Sequence, residues 1–123
     1  MVKSINTKVD LTVDATWFRS MPSYGKIMIG DKAFEFYNEH NIEDYVQIPW
    51  NEVTYVVADV HFGGKYIPRF EIRTKANGNF IFASRDPKKT LRAIRNYIPA
   101  SHMRKALSVW QKLKRNFSRK KTK

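Results

Sequence analysis

Arg69-Phe70-Glu71-Ile72-Arg73-Thr74-Lys75-Ala76-Asn77-Gly78-Asn79-Phe80-Ile81-Phe82-Ala83 decides the fold class. Two runs rich in aromatic and β-branched residues flank Asn77-Gly78, the dipeptide a two-residue type I′ turn prefers because both central positions need positive φ. The segment is therefore expected to be a β-hairpin. A two-residue turn sets Lys75 opposite Phe80, Thr74 opposite Ile81 and Arg73 opposite Phe82.

Toward the N-terminus the same signals repeat. Pro68 cannot donate to a ladder, so the first strand of the hairpin is expected to start after it. Gly63-Gly64 reads as the turn that joins it to Thr54–Phe62, the longest β-type run in the chain. Tyr45–Ile48 is a short strand ended by Pro49, and Asn38–Asp44 is a polar loop. Lys26–Ile29 and Ala33–Tyr37 flank Gly30-Asp31-Lys32 as a tight hairpin. Val9, Leu11, Val13 and Ala15 alternate with Asp10, Thr12, Asp14 and Thr16, the period of a half-buried strand.

Toward the C-terminus the pattern changes. Asp86-Pro87 is an N-cap followed by proline at the first helical position, and Leu91, Ile94 and Ile98 recur at helical spacing until Pro99. A second helix is expected from about Ser101, with Met103, Ala106, Leu107, Val109, Trp110, Leu113 and Phe117 in one apolar arc and Arg104, Lys105, Lys112 and Arg115 opposite. Lys114 falls inside that arc. About seven strands followed by helix, with no strand–helix–strand alternation, imply a mainly β chain with C-terminal helices: an antiparallel barrel or sandwich closed by a helix. The organisation expected is residues 1–99 as this body and 100–123 as a basic amphipathic helix and tail.

Charge divides the chain at Asp86-Pro87, where the first helix is expected to begin. Of 23 basic and 11 acidic residues, all the acids lie between Asp10 and Asp86, so residues 1–86 carry −1 and residues 87–123 carry +13. Such a partition points to an acidic partner: anionic lipid, an acidic protein face or nucleic acid. The chain has no cysteine, which excludes disulfides and thiolate metal sites and fits a reducing compartment. No run approaches 18 apolar residues, so membrane contact is expected to be peripheral.

The residues also carry a resemblance. Ile48-Pro49-Trp50-Asn51-Glu52-Val53, the long strand after it, Arg69–Thr74, the Asn-Gly turn, Phe80-Ile81-Phe82-Ala83-Ser84 and a helix at Asp86-Pro87 together resemble the pleckstrin-homology-like superfamily in its bacterial, GRAM-like form. Over nearly its full length the chain also resembles the accessory family encoded beside mannose-class phosphotransferase permeases in Gram-positive bacteria. The resemblance implies a bent antiparallel barrel capped by a helix, and a cytosolic protein that regulates mannose transport near the permease.

Catalytic chemistry is not expected. His40, His61 and His102 show no ligand spacing, and no glycine-rich phosphate loop or nucleophile motif is present, so neither metal nor cofactor is anticipated. His61 and His102 are at most phosphoacceptor candidates, against their reading as ordinary surface histidines. Two candidate surfaces remain. Arg104, Lys105, Trp110, Lys112, Lys114, Arg115, Phe117, Arg119, Lys120 and Lys121 form a basic, aromatic surface for a permease component or an anionic membrane. Arg73 and Lys75 interleaved with Phe80 and Phe82 supply what a single-strand nucleic-acid platform needs, although aromatic residues alternating along a strand are also ordinary core. A second copy of the chain is a further partner for the apolar arc.

Overall fold

The computed structural model describes residues 3–106. Eight strands form one sheet: β1 (Val9–Phe18), β2 (Ser23–Gly30), β3 (Ala33–Asn38), β4 (Tyr45–Pro49), β5 (Val53–His61), β6 (Tyr66–Thr74), β7 (Asn79–Ser84) and β8 (Met103–Lys105). Their lateral order is β4-β3-β2-β1-β7-β6-β5-β8. Every pairing is antiparallel except β5 with β8.

The sheet bends until its inner face meets itself. Phe34 and Phe36 of β3 contact Phe82 of β7 at ring-centroid separations of 4.9 and 5.7 Å, and Phe34 meets Phe70 of β6 edge-on at 6.2 Å. Ile27, Ile29, Val56 and Ile72 fill the same fully buried layer. One helix, α1 (Pro87–Ile94), lies over this core and contacts β1, β2, β6 and β7. Its start is the one expected: Asp86 accepts from the Lys89 N–H at 3.2 Å, and Pro87 occupies the first turn. Ile94 and Ile98 are buried, but the α-helix ends at Ile94 and the chain turns before Pro99. Tyr97 then stacks on Trp50 at 5.2 Å and 10°, and Trp50 Nε1 donates to the Gly30 carbonyl at 2.9 Å.

The closed pleckstrin-homology-like barrel is not what forms. Strands β4 and β8 stand at opposite ends of the lateral order without pairing to one another, so the sheet is open and mixed. The second helix expected from Ser101 is also absent at its start. Ala100–His102 is a single 3-10 turn, and Met103, Arg104 and Lys105 pair with Val56, Val57 and Ala58. The physical reason is the crossover. Strand β7 runs parallel to β5 because each is antiparallel to β6, and α1 carries the chain back across the sheet to lay β8 along β5 in the same direction. An unsatisfied edge of β5 takes up residues 103–105 as a strand, which overrides their weak helical periodicity.

Both faces of β3 are buried. Phe34 and Phe36 point into the core, while Glu35, fully buried, points to the other face beneath residues 4–8. Its carboxylate accepts from Ser4 Oγ (2.5 Å), the Ile5 N–H (2.9 Å), Asn6 Nδ2 (2.8 Å), the Tyr37 hydroxyl (2.7 Å) and Gln47 Nε2 (3.2 Å). A buried carboxylate is tolerable only with such a complete set of donors. Asn6 continues the strap, accepting from the Lys32 and Ala33 N–H groups at 2.9 and 2.8 Å. Asp31 in the β2–β3 turn accepts from the Thr7 hydroxyl and from the Thr7 and Lys8 N–H groups, which holds its carboxyl down at about 2.

Close backbone approach constrains β2. A Cβ on Gly25 would sit 2.0 Å from the Tyr37 carbonyl oxygen, a contact that no rotamer change relieves. Gly25→Ala is expected to cost about 3 kcal/mol and to lower Tm by roughly 15 °C in thermal unfolding. A Tm within a few degrees of the wild type would show that β2 and β3 can separate there.

Candidate functional site

Arg73, Lys75, Phe80 and Phe82 do not share a face. The observed register pairs Phe70 with Phe82, Ile72 with Phe80 and Arg73 with Asn79, three residues away from that of a two-residue Asn-Gly turn. An odd shift sends every side chain to the opposite face. Phe82 is fully buried and Phe80 packs on Trp17 at 6.1 Å, whereas Arg73 lies on the outer face and its Nε donates to Glu71 at 2.7 Å. The turn chemistry explains the difference. Thr74 Oγ1 donates to the Gly78 carbonyl at 2.5 Å and accepts from the Asn77 N–H at 3.0 Å, while the Lys75 N–H turns out of the hairpin to the Glu52 carbonyl. Gly78 keeps the positive φ expected of it, at 83°, but within a longer loop.

Arg104 and Lys105 lie on β8 at the sheet edge. The Arg104 guanidinium sits 5.3 Å from the centre of the Tyr55 ring, and the His102 ring is 5.6 Å from the same tyrosine. After Lys105 the Ala106 N–H donates to the Ala58 carbonyl at 2.7 Å, so the chain is still tracking β5 toward its C-terminal end. Trp110, Lys112, Lys114, Arg115, Phe117, Arg119, Lys120 and Lys121 lie outside the described residues.

At the end of β5 the expected Gly63-Gly64 turn exposes an aromatic residue. His61 is followed by a turn, Phe62–Gly64, in which Phe62, Gly63 and Gly64 all have positive φ, at 54°, 64° and 94°. For a phenylalanine this left-handed backbone costs about 1–2 kcal/mol. Packing does not compensate: Phe62 is 78% exposed, forgoing about 1.5–3 kcal/mol of burial. Tyr66, 55% exposed, and Lys65 stand beside it, and Arg69 follows on β6. The signal in the sequence was a large aromatic abutting Gly-Gly with no apolar residue spaced to cover it. Pro68 lies inside β6 at a register irregularity between Asp59 and His61, where its missing N–H leaves no ladder gap.

Most carboxylates of the body are already engaged. Asp10 takes the Tyr97 hydroxyl; Asp14 takes Lys26 at 2.7 Å; Asp44, buried, takes Arg19 at 2.6 Å and Ser23 at 2.5 Å. Asp59 pairs with His61 at 2.9 Å and Arg69 at 3.4 Å. With Asp31, Glu35, Glu39, Glu71 and Asp86, nine of the 11 acids have a side-chain partner among the described residues. Also among the described residues, no three His, Cys, Asp or Glu side chains gather as a metal set would require. A cleft of about 460 Å³ opens between β2, β3 and the 38–44 loop, lined by Met28, Tyr37 and Ile42 with Lys26, Asn38 and Asn41 at its margin.

The chain belongs to the family described as Domain of unknown function (DUF956), whose model matches residues 1–117. No curated protein matches it. Among solved structures, the C-terminal domain of an unknown protein from Leishmania infantum is similar, with a TM-score of 0.63 at 12% identity, covering 73% of this chain and 83% of that one. At that identity the likeness concerns the fold alone.

Two measurements test this geometry. Phe82→Ala is expected to destabilise by about 3–5 kcal/mol, as removal of a core ring does, whereas Arg73→Ala on the outer face changes stability by less than about 1 kcal/mol. Comparable effects in denaturant unfolding would contradict the register. The second reads the tyrosines. Burial and the Glu35 carboxylate push Tyr37 up to about 12, and the hydrogen bond to Asp10 pushes Tyr97 up to about 12, both from 10.0. Their protonated forms favour the fold, so the stability they contribute is complete below pH 10 and is lost as pH rises toward 12. Tyr37→Phe and Tyr97→Phe should each remove part of the late-ionising tyrosinate absorbance; an unchanged titration contradicts the assignment.

Proposed function

We propose that the protein is a non-enzymatic accessory protein of a mannose-class phosphotransferase permease, docked through its basic C-terminal region on the permease's cytosolic face or the anionic membrane around it. The observation that carries the reading is the segregated charge. Residues 87–123 hold 13 basic residues and no acid, while nine of the 11 acids have a side-chain partner among the described residues. A region of one sign attracts an acidic partner, and each Lys or Arg near an anionic surface contributes on the order of 1 kcal/mol.

The transporter enters through the sequence resemblance to the mannose-operon accessory family, and membership of a family of unknown function is compatible with it. Among the described residues no helix is long and apolar enough to cross a membrane. Nucleic acid is the competing polyanion. It is less well supported, because Arg73 and Phe82, the pair a stacking platform would need side by side, lie on opposite faces of β6 and β7.

The test is co-sedimentation of the full chain with membranes containing the permease, at physiological salt and with competitor DNA. The variant replaces Lys112, Lys114, Arg115, Arg119, Lys120 and Lys121 by Gln. Binding should fall at least tenfold, about 1.4 kcal/mol. Undiminished binding by the variant overturns the reading, as does release of the wild type by the DNA.

A further inference from the structure

We propose that the tip joining β5 and β6 is a membrane-insertion element, with Phe62 entering the headgroup boundary of an anionic bilayer. This rests on the docking reading above and names the lipid surface as the partner of one edge of the molecule.

Three independent observations meet at that tip. The first is the apolar payload: Phe62, 78% exposed, and Tyr66, 55% exposed, stand at the two ends of the β5–β6 turn, their rings 6.2 and 6.0 Å from that of His61. A Cβ built on Gly63 or Gly64 meets nothing within 4 Å, so no other segment crowds the two glycines that follow Phe62. A left-handed backbone at a phenylalanine is held against its own preference, and the ring it presents is mostly exposed, with the His61 ring 6.2 Å away. The second is the local chemistry. Lys65 and Arg69 flank the aromatic pair, and aromatic rings at the headgroup level with long basic chains reaching outward are what a bilayer interface takes up. Asp59, the neighbouring acid, is already paired with His61 and Arg69.

The third is direction. Strand β8 runs parallel to β5, and the last described contact joins Ala106 to Ala58, three residues or about 10 Å of strand short of His61. The chain beyond Ala106 holds seven basic residues and no acid. A bilayer satisfies both features at once, since its headgroups meet the basic segment while its interface takes the ring; a nucleic acid would offer phosphates without an apolar layer.

The chain has no cysteine, which makes the test direct. Phe62→Cys carries an environment-sensitive fluorophore at the tip, and Asn77→Cys carries the same label in the β6–β7 turn at the far end of the hairpin. With vesicles of phosphatidylglycerol and phosphatidylcholine, the tip label should shift to the blue and be quenched by brominated lipid while the Asn77 label is unchanged. Unlabelled Phe62→Gly relieves the left-handed backbone, so its Tm should equal or exceed the wild type while its vesicle affinity falls roughly tenfold.

If the six-residue Gln variant loses membrane binding while Phe62→Gly binds like the wild type, the insertion element is overturned and the docking reading stands. Wild-type binding to permease-containing membranes but not to lipid vesicles overturns it in favour of a protein partner. Equal quenching of both labels overturns it as well. Failure of the wild type to bind either membrane overturns the docking reading together with the inference.

Discussion

Phe82 of β7 meets Phe34 and Phe36 of β3 although β1 and β2 lie between those strands in the sheet, and that aromatic contact is the constraint on which the rest depends. A flat sheet could not bring the rings to 4.9 Å; the bend supplies one continuous core from a single layer. Bending leaves a mouth over the core, and α1 lies there with Ile94 and Ile98 buried. It also leaves two edges, β4 and β8, and fixes which segments stand on the convex outside.

The second burden falls on β3. With phenylalanines on one face, its other face is covered by residues 4–8, and Glu35 becomes a buried carboxylate whose five donors come from the strap, Tyr37 and Gln47. Replacing any donor leaves part of a charge unsatisfied in a low-dielectric site, so the strap is bound by necessity and not by apolar area. The same logic runs through Asn6 and Asp31, whose side chains satisfy backbone groups of the strap and the β2–β3 turn.

Much of this was legible in the amino-acid order and some of it was not. Alternation placed β1, and Asp86-Pro87 placed the start of α1, because those signals are local. The β6–β7 register was misread from Asn77-Gly78, yet Phe70, Ile72, Phe80 and Phe82 contained the correction: only the pairing that puts all four on one face builds a core. A turn dipeptide is worth less than four buried rings and branched chains when the two disagree. Strand β8 was illegible for a different reason. Three residues have no period to read, and what makes them a strand is the vacant edge of β5, a tertiary fact. Of the candidate surfaces, Arg104 and Lys105 fall together at that edge, whereas Arg73 and Phe82 are separated by the thickness of the sheet. The exposure of Phe62 is not legible locally, because Gly63-Gly64 marks a turn without saying which side chain the turn leaves uncovered.

Electrostatics and apolar exposure make different demands on a partner, and β5 stands beside both, with Arg104 and Lys105 along it and Phe62 after its end. A basic segment alone is satisfied by any polyanion, with affinity that falls as salt shortens the screening length to about 8 Å at physiological ionic strength. An exposed aromatic alone is common and needs no explanation. What is uncommon is a large ring kept in a left-handed backbone at the end of the strand that Arg104 and Lys105 flank. Salt weakens the first attraction and leaves the second intact, so a surface offering both charge and an apolar layer holds the molecule under conditions where charge alone is screened.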